Sequence, residues 1–178
     1  MSIEEMLPEC PKLVMVAKEG REYWALEELY DVLAGIDKYE VSKVASGVFA
    51  VYSGSTIERL LDLVRRYEYS FIRYLFFFDG CVSCAELEDK LRSYMERRCG
   101  DPLRVRFRLK LRSSCRGAIG RSKVEEIIRN SGCIVSRKGS YMLVIESMSL
   151  NTVGLVLGCV RSCNYGCQLV LPLSVCKE

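Results

Sequence analysis

The chain of 178 residues contains no histidine, and this absence narrows the chemistry open to it. Histidine is the most common general base, and without it neither a Ser-His nor a Cys-His nucleophile pair can form. A Gly-x-Gly-x-x-Gly dinucleotide fingerprint is also absent from the sequence. No catalytic centre is visible, so we expect a binding protein that is not an enzyme and needs neither a cofactor nor a metal.

Long apolar runs are missing as well. The most hydrophobic stretch, Phe71 to Phe78, is too short to span a bilayer and contains Arg73. No charged start followed by an apolar run and a small-residue cleavage site is visible. We therefore expect a cytoplasmic protein with no membrane partner.

Ten cysteines are unusual for that location, because disulfide-rich chains are typical of oxidising compartments. Intracellular proteins of hyperthermophiles are the exception, and the single glutamine, the three asparagines and the 28% of charged residues agree with that class. We predict a thermophilic protein on this basis. For Cys81-Val-Ser-Cys84 and for Cys159, Cys163 and Cys167, three states stay open: structural disulfides, a zinc site and free thiols.

Charge is distributed unevenly along the chain. Residues 1–80 hold nine cations and fourteen acids, a net charge of −5, whereas residues 81–178 hold seventeen cations and nine acids, a net charge of +8. The segment from Arg97 to Lys138 alone has thirteen cations and three acids. This asymmetry predicts two domains, residues 1–80 and 81–178, of which the second meets an anionic partner.

Five cations occupy alternate positions in one short segment of the second domain. In a strand, successive side chains point to opposite faces, so the pattern predicts an apolar ridge against a core and a row of positive charge on the other face. Like charges about 7 Å apart repel, so such a face is either solvated or covered by a polyanion, and nucleic acid is the favoured partner. The cations are Arg104, Arg106, Arg108, Lys110 and Arg112, and the apolar residues are Val105, Phe107, Leu109 and Leu111.

The sequence of the first domain predicts the element order β-α-β-β-α-β. This is the ferredoxin-like pattern, and it assigns the protein to the α+β class. Its first helix places Trp24, Leu26, Leu29, Tyr30 and Leu33 near helical spacing, with Glu27, Glu28 and Asp31 on the solvated face. The predicted strands are Lys12–Lys18, Tyr39–Ala45, Val48–Tyr52 and Phe71–Phe78, and the predicted helices are Arg21–Leu33 and Ser55–Tyr67.

The second domain predicts two helices, each opened by a Ser-x-x-Glu capping box, and five strands. The capping boxes are Ser83–Glu86 and Ser122–Glu125, and a third box, Ser55–Glu58, opens the second helix of the first domain. The predicted helices are Glu86–Arg98 and Ser122–Ser131, and the predicted strands are Arg104–Arg112, Cys133–Arg137, Tyr141–Met148, Thr152–Cys159 and Gln168–Leu173.

The segment Arg116–Lys123 has the ingredients of a phosphate-binding loop. Gly117 and Gly120 allow close backbone approach, and the helix that follows offers unpaired amides at its positive dipole end. The order and spacing of a Walker A loop are absent, so nucleotide hydrolysis is not supported. A glycine-rich turn before a capped helix is the structural alternative.

Taken together, the second domain resembles a THUMP domain preceded by its usual ferredoxin-like companion. The resemblance extends from about Lys12 to Cys159 and rests on the element order and on two segments, Val105–Lys110 and Arg116–Ile128. It implies a THUMP-like α/β second domain that binds the acceptor stem and 3′ end of tRNA. Stand-alone members of the family act as adaptors that present tRNA to an RNA cytidine acetyltransferase, and the length of this chain leads us to expect that type.

The resemblance places the RNA contacts in the Arg116–Lys123 segment and on the cation-striped strand. We therefore expect a non-catalytic tRNA-binding adaptor with a tRNA-modifying enzyme as partner. Two alternatives stay open: a zinc- or disulfide-stabilised protein-interaction module with a basic docking face, and an RNA-modifying enzyme that uses Cys84 or another thiolate. The candidate RNA-binding residues are Arg106, Arg108, Lys110, Arg112, Arg116, Arg121 and Lys123.

Overall fold

A computed structural model describes residues 10–163 and 165–176 of the chain. Within these ranges all ten strands belong to one sheet, and four α-helices accompany it. The helices are α1 (Glu22–Leu33), α2 (Ile57–Arg65), α3 (Leu87–Glu96) and α4 (Arg121–Asn130). The strands are β1 (Leu13–Ala17), β2 (Tyr39–Ala45), β3 (Val48–Ser53), β4 (Ile72–Phe77), β5 (Gly80–Ser83), β6 (Arg104–Lys110), β7 (Ile134–Val135), β8 (Tyr141–Ser147), β9 (Thr152–Cys163) and β10 (Cys167–Pro172).

The first four strands and two helices follow the predicted β-α-β-β-α-β order, and the α+β class is confirmed. β1 lies antiparallel between β3 and β4, and β2 lies antiparallel against the outer edge of β3. The crossover from β1 through α1 therefore passes over β3 to reach β2, which is the split βαβ arrangement of ferredoxin-like folds. Val14, for example, pairs with Ala50 on one side and Phe76 on the other.

The rest of the chain extends the same sheet instead of forming a separate one. β10 runs parallel to β4 and antiparallel to β9, which continues through β8 to β6 and β7. The strand order is β2-β3-β1-β4-β10-β9-β8-β6-β7, with β5 paired to β9 beside this path. β5 was not predicted from the sequence. The sheet runs without a break across residue 80, and the domain boundary proposed there stays a prediction.

All four helices cover one face of the sheet. Along β9, Val153, Leu155 and Leu157 pack into the core under α3 and α4, and Cys159, two residues on, packs into the core under α1 and α2. Because these residues alternate along one strand, they point to the same side. The two helical cores are thus neighbouring parts of one layer.

The opposite face of the sheet is concave and is also buried. Phe76, Val144, Val156 and Val170 are in contact there within one apolar cluster. The guanidinium carbon of Arg108 on β6 lies 5.4 Å from the Tyr74 ring centroid on β4, although β10, β9 and β8 separate these strands in the sheet. The sheet therefore curls far enough for side chains of distant strands to meet.

All ten cysteines form disulfides, which confirms the disulfide alternative of the three left open. Cys81 and Cys84 do not pair with each other; each bonds to a residue remote in sequence, so the Cys-x-x-Cys spacing does not mark a redox pair. In this state Cys84 presents no thiolate. The pairs are Cys10–Cys81, Cys84–Cys115, Cys99–Cys133, Cys159–Cys176 and Cys163–Cys167.

The faces of α1 differ from the predicted ones. Leu29 and Leu33 are buried as expected, but Trp24 and Tyr30 are 52% and 41% exposed. Glu28, expected on the solvated face, is buried and its carboxylate accepts hydrogen bonds from the backbone N–H groups of Ser70 and Phe71, at 2.7 and 3.0 Å. The carboxylate thus joins α1 to the start of β4.

Within the described ranges, no helix combines the length and the apolar character that crossing a membrane requires.

Two buried tyrosines tie elements together through their hydroxyl groups. The Tyr94 hydroxyl on α3 donates to Asp79 Oδ2 at 2.5 Å and accepts from the Leu157 backbone N–H at 2.6 Å. The Tyr69 hydroxyl donates to the Val64 carbonyl oxygen at 2.8 Å. Burial is the main cause that raises the pKa of both phenols well above the usual value, and the carboxylates of Asp79 and Glu28, respectively, add to it.

These raised pKa values predict a loss of stability in alkaline solution. Above about pH 10 the unfolded chain releases the two phenolic protons while the folded chain retains them, so rising pH favours unfolding. Below that pH the contribution is fully present. Each tyrosine should steepen the fall by about 1.4 kcal/mol per pH unit, as measured by urea denaturation from pH 9 to pH 11. Tyr94→Phe should make this fall shallower, whereas an unchanged slope in both Tyr94→Phe and Tyr69→Phe would contradict the assignment.

Candidate nucleic-acid interface

The striped strand β6 has its apolar ridge where the sequence predicts it. Val105 is buried and Phe107 and Leu109 are half-buried in the core under α3 and α4. Their neighbours Arg106 and Arg108 point to the concave face of the sheet, because they pair in parallel register with Met142 and Val144, which lie in the concave-face cluster. Both arginines are half-buried, and on β6 only the end residues Arg104 and Lys110 are exposed. The prediction of an exposed row of positive charge is therefore wrong for Arg106 and Arg108, which lie in the middle of the strand.

Two of the predicted cations, Arg108 and Arg112, form ion pairs with one buried carboxylate. Glu146 on β8 has no exposed surface, and its two oxygens accept from Arg108 Nε at 2.9 Å and Arg112 Nη2 at 2.6 Å. Arg112 is held further by Ser147, whose hydroxyl oxygen accepts from the Arg112 backbone N–H at 2.9 Å. Arg108 also lies over the Tyr74 and Phe76 rings. These two cations are committed to the fold to a degree that the sequence pattern does not show.

Arg106 has a different set of contacts on the same face. Its Nη2 donates to Gln168 Oε1 on β10 at 3.3 Å. Its Nε is buried and has no hydrogen-bond partner among the described residues. Arg106 thus links β6 to the strand that joins the two parts of the sheet.

The segment after β6, residues 113–123, is here named the basic loop. A 3₁₀ turn, Ser113–Cys115, opens it, and positive φ angles at Ser113 (52°) and Gly117 (82°) reverse the chain. Cys115 is buried and bonded to Cys84. The Ser114 hydroxyl donates to the Leu150 carbonyl oxygen and lies 2.9 Å from Asn151 Oδ1. The base of the loop is therefore fastened to the β8–β9 turn and to the segment before α3.

The end of the basic loop is the start of α4, and it carries no side-chain cap. Gly120 is the N-cap residue, where the sequence predicts a Ser122–Glu125 capping box instead. The Glu125 carboxylate points to Arg121 and Arg129, at 3.6 and 3.1 Å, and does not return to the helix start. The first N–H groups of an uncapped helix have no intrahelical acceptor and sit at its positive dipole end. This end of α4 is suited to an anion.

The three cations of the basic loop differ in how far they are already neutralised. The Arg116 side chain is exposed and has no ion-pair or hydrogen-bond partner within the described ranges. Arg121 is 69% exposed, and its guanidinium carbon lies 4.6 Å from the Phe107 ring centroid; its Nε lies 3.6 Å from the Glu125 carboxylate, which pairs more closely with Arg129 at 3.1 Å. Lys123 Nζ is shared by Glu126 at 3.1 Å and Glu88 at 3.9 Å. Arg116 and Arg121 are therefore the most available to a ligand.

The basic loop lies beyond the carboxyl ends of parallel strands. β6 runs parallel to β8 and ends at Lys110, whose exposed side chain also lacks a partner among the described residues. Ligands of open α/β sheets bind at this edge, where helix N-termini and loops converge. Lys110, Arg116, Arg121 and the start of α4 all belong to the segment that leads from the end of β6 into α4, and we treat this segment as the candidate interface.

No protein-family model and no curated protein matches the sequence. Several solved structures match the chain, among them two at low sequence identity. PH1313 from Pyrococcus horikoshii Ot3 is 16% identical, with a TM-score of 0.48 and 83% of this chain covered. TrmN from Thermus thermophilus is 13% identical, with a TM-score of 0.49 and 82% covered. The chain spans about half the length of each, 56% and 44%, respectively. Similarity at this level carries no functional conclusion.

Most aromatic side chains in the basic part of the chain are buried or covered by other side chains, so they are not free to stack on RNA bases. Tyr94 is buried, and the half-buried Phe107 lies beneath Arg121. Tyr141 is half-buried and lines a cleft of about 620 Å³ together with Arg97 and Arg98. The sequence did not indicate these two arginines as candidate RNA-binding residues.

The ion pairs of Glu146 with Arg108 and Arg112 had one signal in the sequence. Glu146 is the one charged residue in the strand Tyr141–Ser147, whose other residues are uncharged.

Proposed function

We propose that this protein binds tRNA through the basic loop and the start of α4. The observation that carries the proposal is the run of exposed cations with little compensation, Lys110, Arg116 and Arg121, between the end of β6 and the uncapped N-terminus of α4. Phosphate oxygens are the ligands that such a group of guanidinium, ammonium and backbone N–H donors prefers. The net positive charge of the Arg97–Lys138 segment adds long-range attraction to a polyanion such as RNA.

The resemblance to THUMP domains further suggests which part of the tRNA is bound and what happens to it. The protein would hold the acceptor stem and 3′ end of tRNA without catalysing a reaction, and would present the tRNA to a modifying enzyme, with an RNA cytidine acetyltransferase as the favoured partner. In this proposal Arg106, Arg108 and Arg112 shape and charge the edge of the site, while Lys110, Arg116, Arg121 and Lys123 make the direct contacts. A cytoplasmic location and a thermophilic source are part of the same proposal.

A salt-dependent titration tests both the binding and the 3′-end specificity. Intact tRNA is compared with the same tRNA lacking its single-stranded 3′ end, at several salt concentrations. We expect tighter binding of the intact form and a linear fall of log K with log salt concentration, with a slope set by the number of phosphate contacts. Equal, weak binding of both forms would reduce the proposal to a generic basic surface, and no binding would reject it.

The second candidate function is a disulfide-stabilised protein-interaction module with a basic docking face. The five disulfides support the disulfide-stabilised form of this alternative over its zinc-stabilised form. All ten thiols are used in these bonds, so the zinc-stabilised form has no cysteine ligands in this state. The ultraviolet absorbance ratio of the purified protein separates the two functions, because co-purified nucleic acid raises it and a protein partner does not.

A further inference from the structure

Three large aromatic side chains stand out from one face of α1, far along the sheet from the basic loop. Tyr23, Trp24 and Tyr30 are 65%, 52% and 41% exposed. They are half of the six exposed large hydrophobic side chains among the described residues, and all three belong to a helix of twelve residues. Single exposed apolar residues are common at protein surfaces, but a cluster on one helix indicates an interaction surface.

The core does not need these rings. α1 packs on the sheet through Ala25, Leu29, Val32 and Leu33, which are buried and lie on its other side. Tyr23 and Trp24 instead contact each other at the surface, and Tyr30 contacts Tyr39, with ring centroids 6.5 Å apart. The Tyr23 and Trp24 centroids are 5.2 Å apart, edge to face, and the Trp24 and Phe71 centroids are 6.0 Å apart. An aromatic surface thus joins the first turn of α1 to the segment before β4, and Tyr30 lies further along the same side of the helix.

The same face is acidic. α1 contains four carboxylates and no cation, and Glu27 and Asp31 are exposed among the aromatic residues at helical spacing. Glu27 has no hydrogen-bond or ion-pair partner within the described ranges, and Asp31 accepts from the Tyr67 hydroxyl at 3.1 Å. We name the set Tyr23, Trp24, Glu27, Tyr30 and Asp31 the aromatic face of α1.

We propose that the aromatic face of α1 docks an arginine- and lysine-rich segment of a partner protein. Aromatic rings attract guanidinium and ammonium groups, and exposed carboxylates next to them provide paired acceptors. Trp and Tyr are also the residues that most often dominate binding energy at protein interfaces. The negative charge disfavours nucleic acid at this face, so the partner is a protein with a basic surface. The inference rests on the proposed function in that it assigns the enzyme-facing side of the adaptor.

The protein offers a built-in reporter, because Trp24 is its sole tryptophan. The probe is a synthetic amphipathic peptide of leucine and arginine at helical spacing, and the control peptide has glutamate at each arginine position. We expect a saturable change in Trp24 emission with the basic peptide, with a Kd below about 1 mM, and none with the acidic peptide. The variant Glu27→Lys with Asp31→Lys should weaken the basic peptide at least about tenfold.

The matched control is Ile134→Ala, which removes a 48% exposed apolar side chain from the other end of the sheet and should leave the titration unchanged. The docking proposal is overturned if the basic peptide gives no saturable change, or if the Glu27→Lys, Asp31→Lys variant binds it as well as the unchanged protein does. Self-association that this variant abolishes in analytical ultracentrifugation would also overturn it, since the occupant would then be a second copy. Loss of tRNA binding with intact peptide binding would reject the proposed function alone.

Discussion

The Glu146→Ala variant should lose about 3–5 kcal/mol of its free energy of unfolding, which is enough to unfold a marginally stable domain. The carboxylate is fully buried between Arg108 and Arg112. Its removal leaves both guanidinium groups, with side-chain exposures of 19% and 28%, without their anion at the rim of an apolar cluster. Uncompensated charge in such a position costs much more than the loss of a surface ion pair. Urea denaturation at neutral pH measures the change.

Glu126→Ala is the matched control for this result. It also removes one glutamate that pairs with a cation, but both partners of the Glu126–Lys123 pair are well exposed, at 49% and 39%. Its free energy of unfolding should change by less than about 1 kcal/mol. If Glu146→Ala were as mild as Glu126→Ala, then Arg108 and Arg112 would not depend on Glu146, and their assignment to the fold would be wrong.

The sequence predicted most of the elements because their patterns are local. The apolar run at β1 and the alternation at β6 each indicate a strand, and the predicted β2, Tyr39–Ala45, matches the observed bounds. The position of the basic loop was likewise predicted, since a strand end, glycine positions and a helix start all follow from neighbouring residues. β10 was predicted as a strand, but its parallel pairing with β4 joins segments about a hundred residues apart and left no local signal.

The face of β6 that carries the cations could not be interpreted correctly from β6 alone. Alternation assigns Arg106, Arg108 and Lys110 to one side, but it does not say what opposes that side. The answer depends on β8, which places Glu146 beside Lys110 in parallel register, and on the curl of the sheet that brings Tyr74 and Phe76 over Arg108. Both are long-range properties. Of the cations on β6, only the end residues Arg104 and Lys110 are exposed to solvent.

Helix starts show the same limit on a smaller scale. At α2 the hydrogen-bonded cap is Thr56, whose hydroxyl oxygen accepts from the Arg59 backbone N–H, one residue after the Ser55 that the capping box indicates. At α4 the box is not used as a cap, since Gly120 occupies the N-cap position. The serine and the glutamate of a capping-box sequence can each hydrogen-bond to other groups. Which residue becomes the N-cap depends on the conformation of the segment that leads into the helix. The uncapped start of α4 is the feature that bears on function.

Reversing the three charges of the basic loop should weaken tRNA binding by about 100- to 1,000-fold at 0.1 M salt. The variant combines Arg116→Glu, Arg121→Glu and Lys123→Glu. Each phosphate contact contributes close to one unit to the salt slope and about tenfold to affinity between 1 M and 0.1 M salt, and Lys123 contributes less because it is already paired. The slope should therefore fall by about two to three units. Fluorescence anisotropy of labelled tRNA at four salt concentrations measures both quantities.

The control variant for this prediction changes the net charge equally at a different place. Arg59, Arg65 and Arg66 are exposed on and beside α2, and their joint reversal to glutamate also lowers the net charge by six. If tRNA binding depends on the basic loop, this control should lose less than about tenfold in affinity and keep its salt slope, because only long-range attraction changes. Equal losses in the two variants would show that net charge alone drives binding. Unaffected binding in the loop variant would place the RNA elsewhere on the molecule.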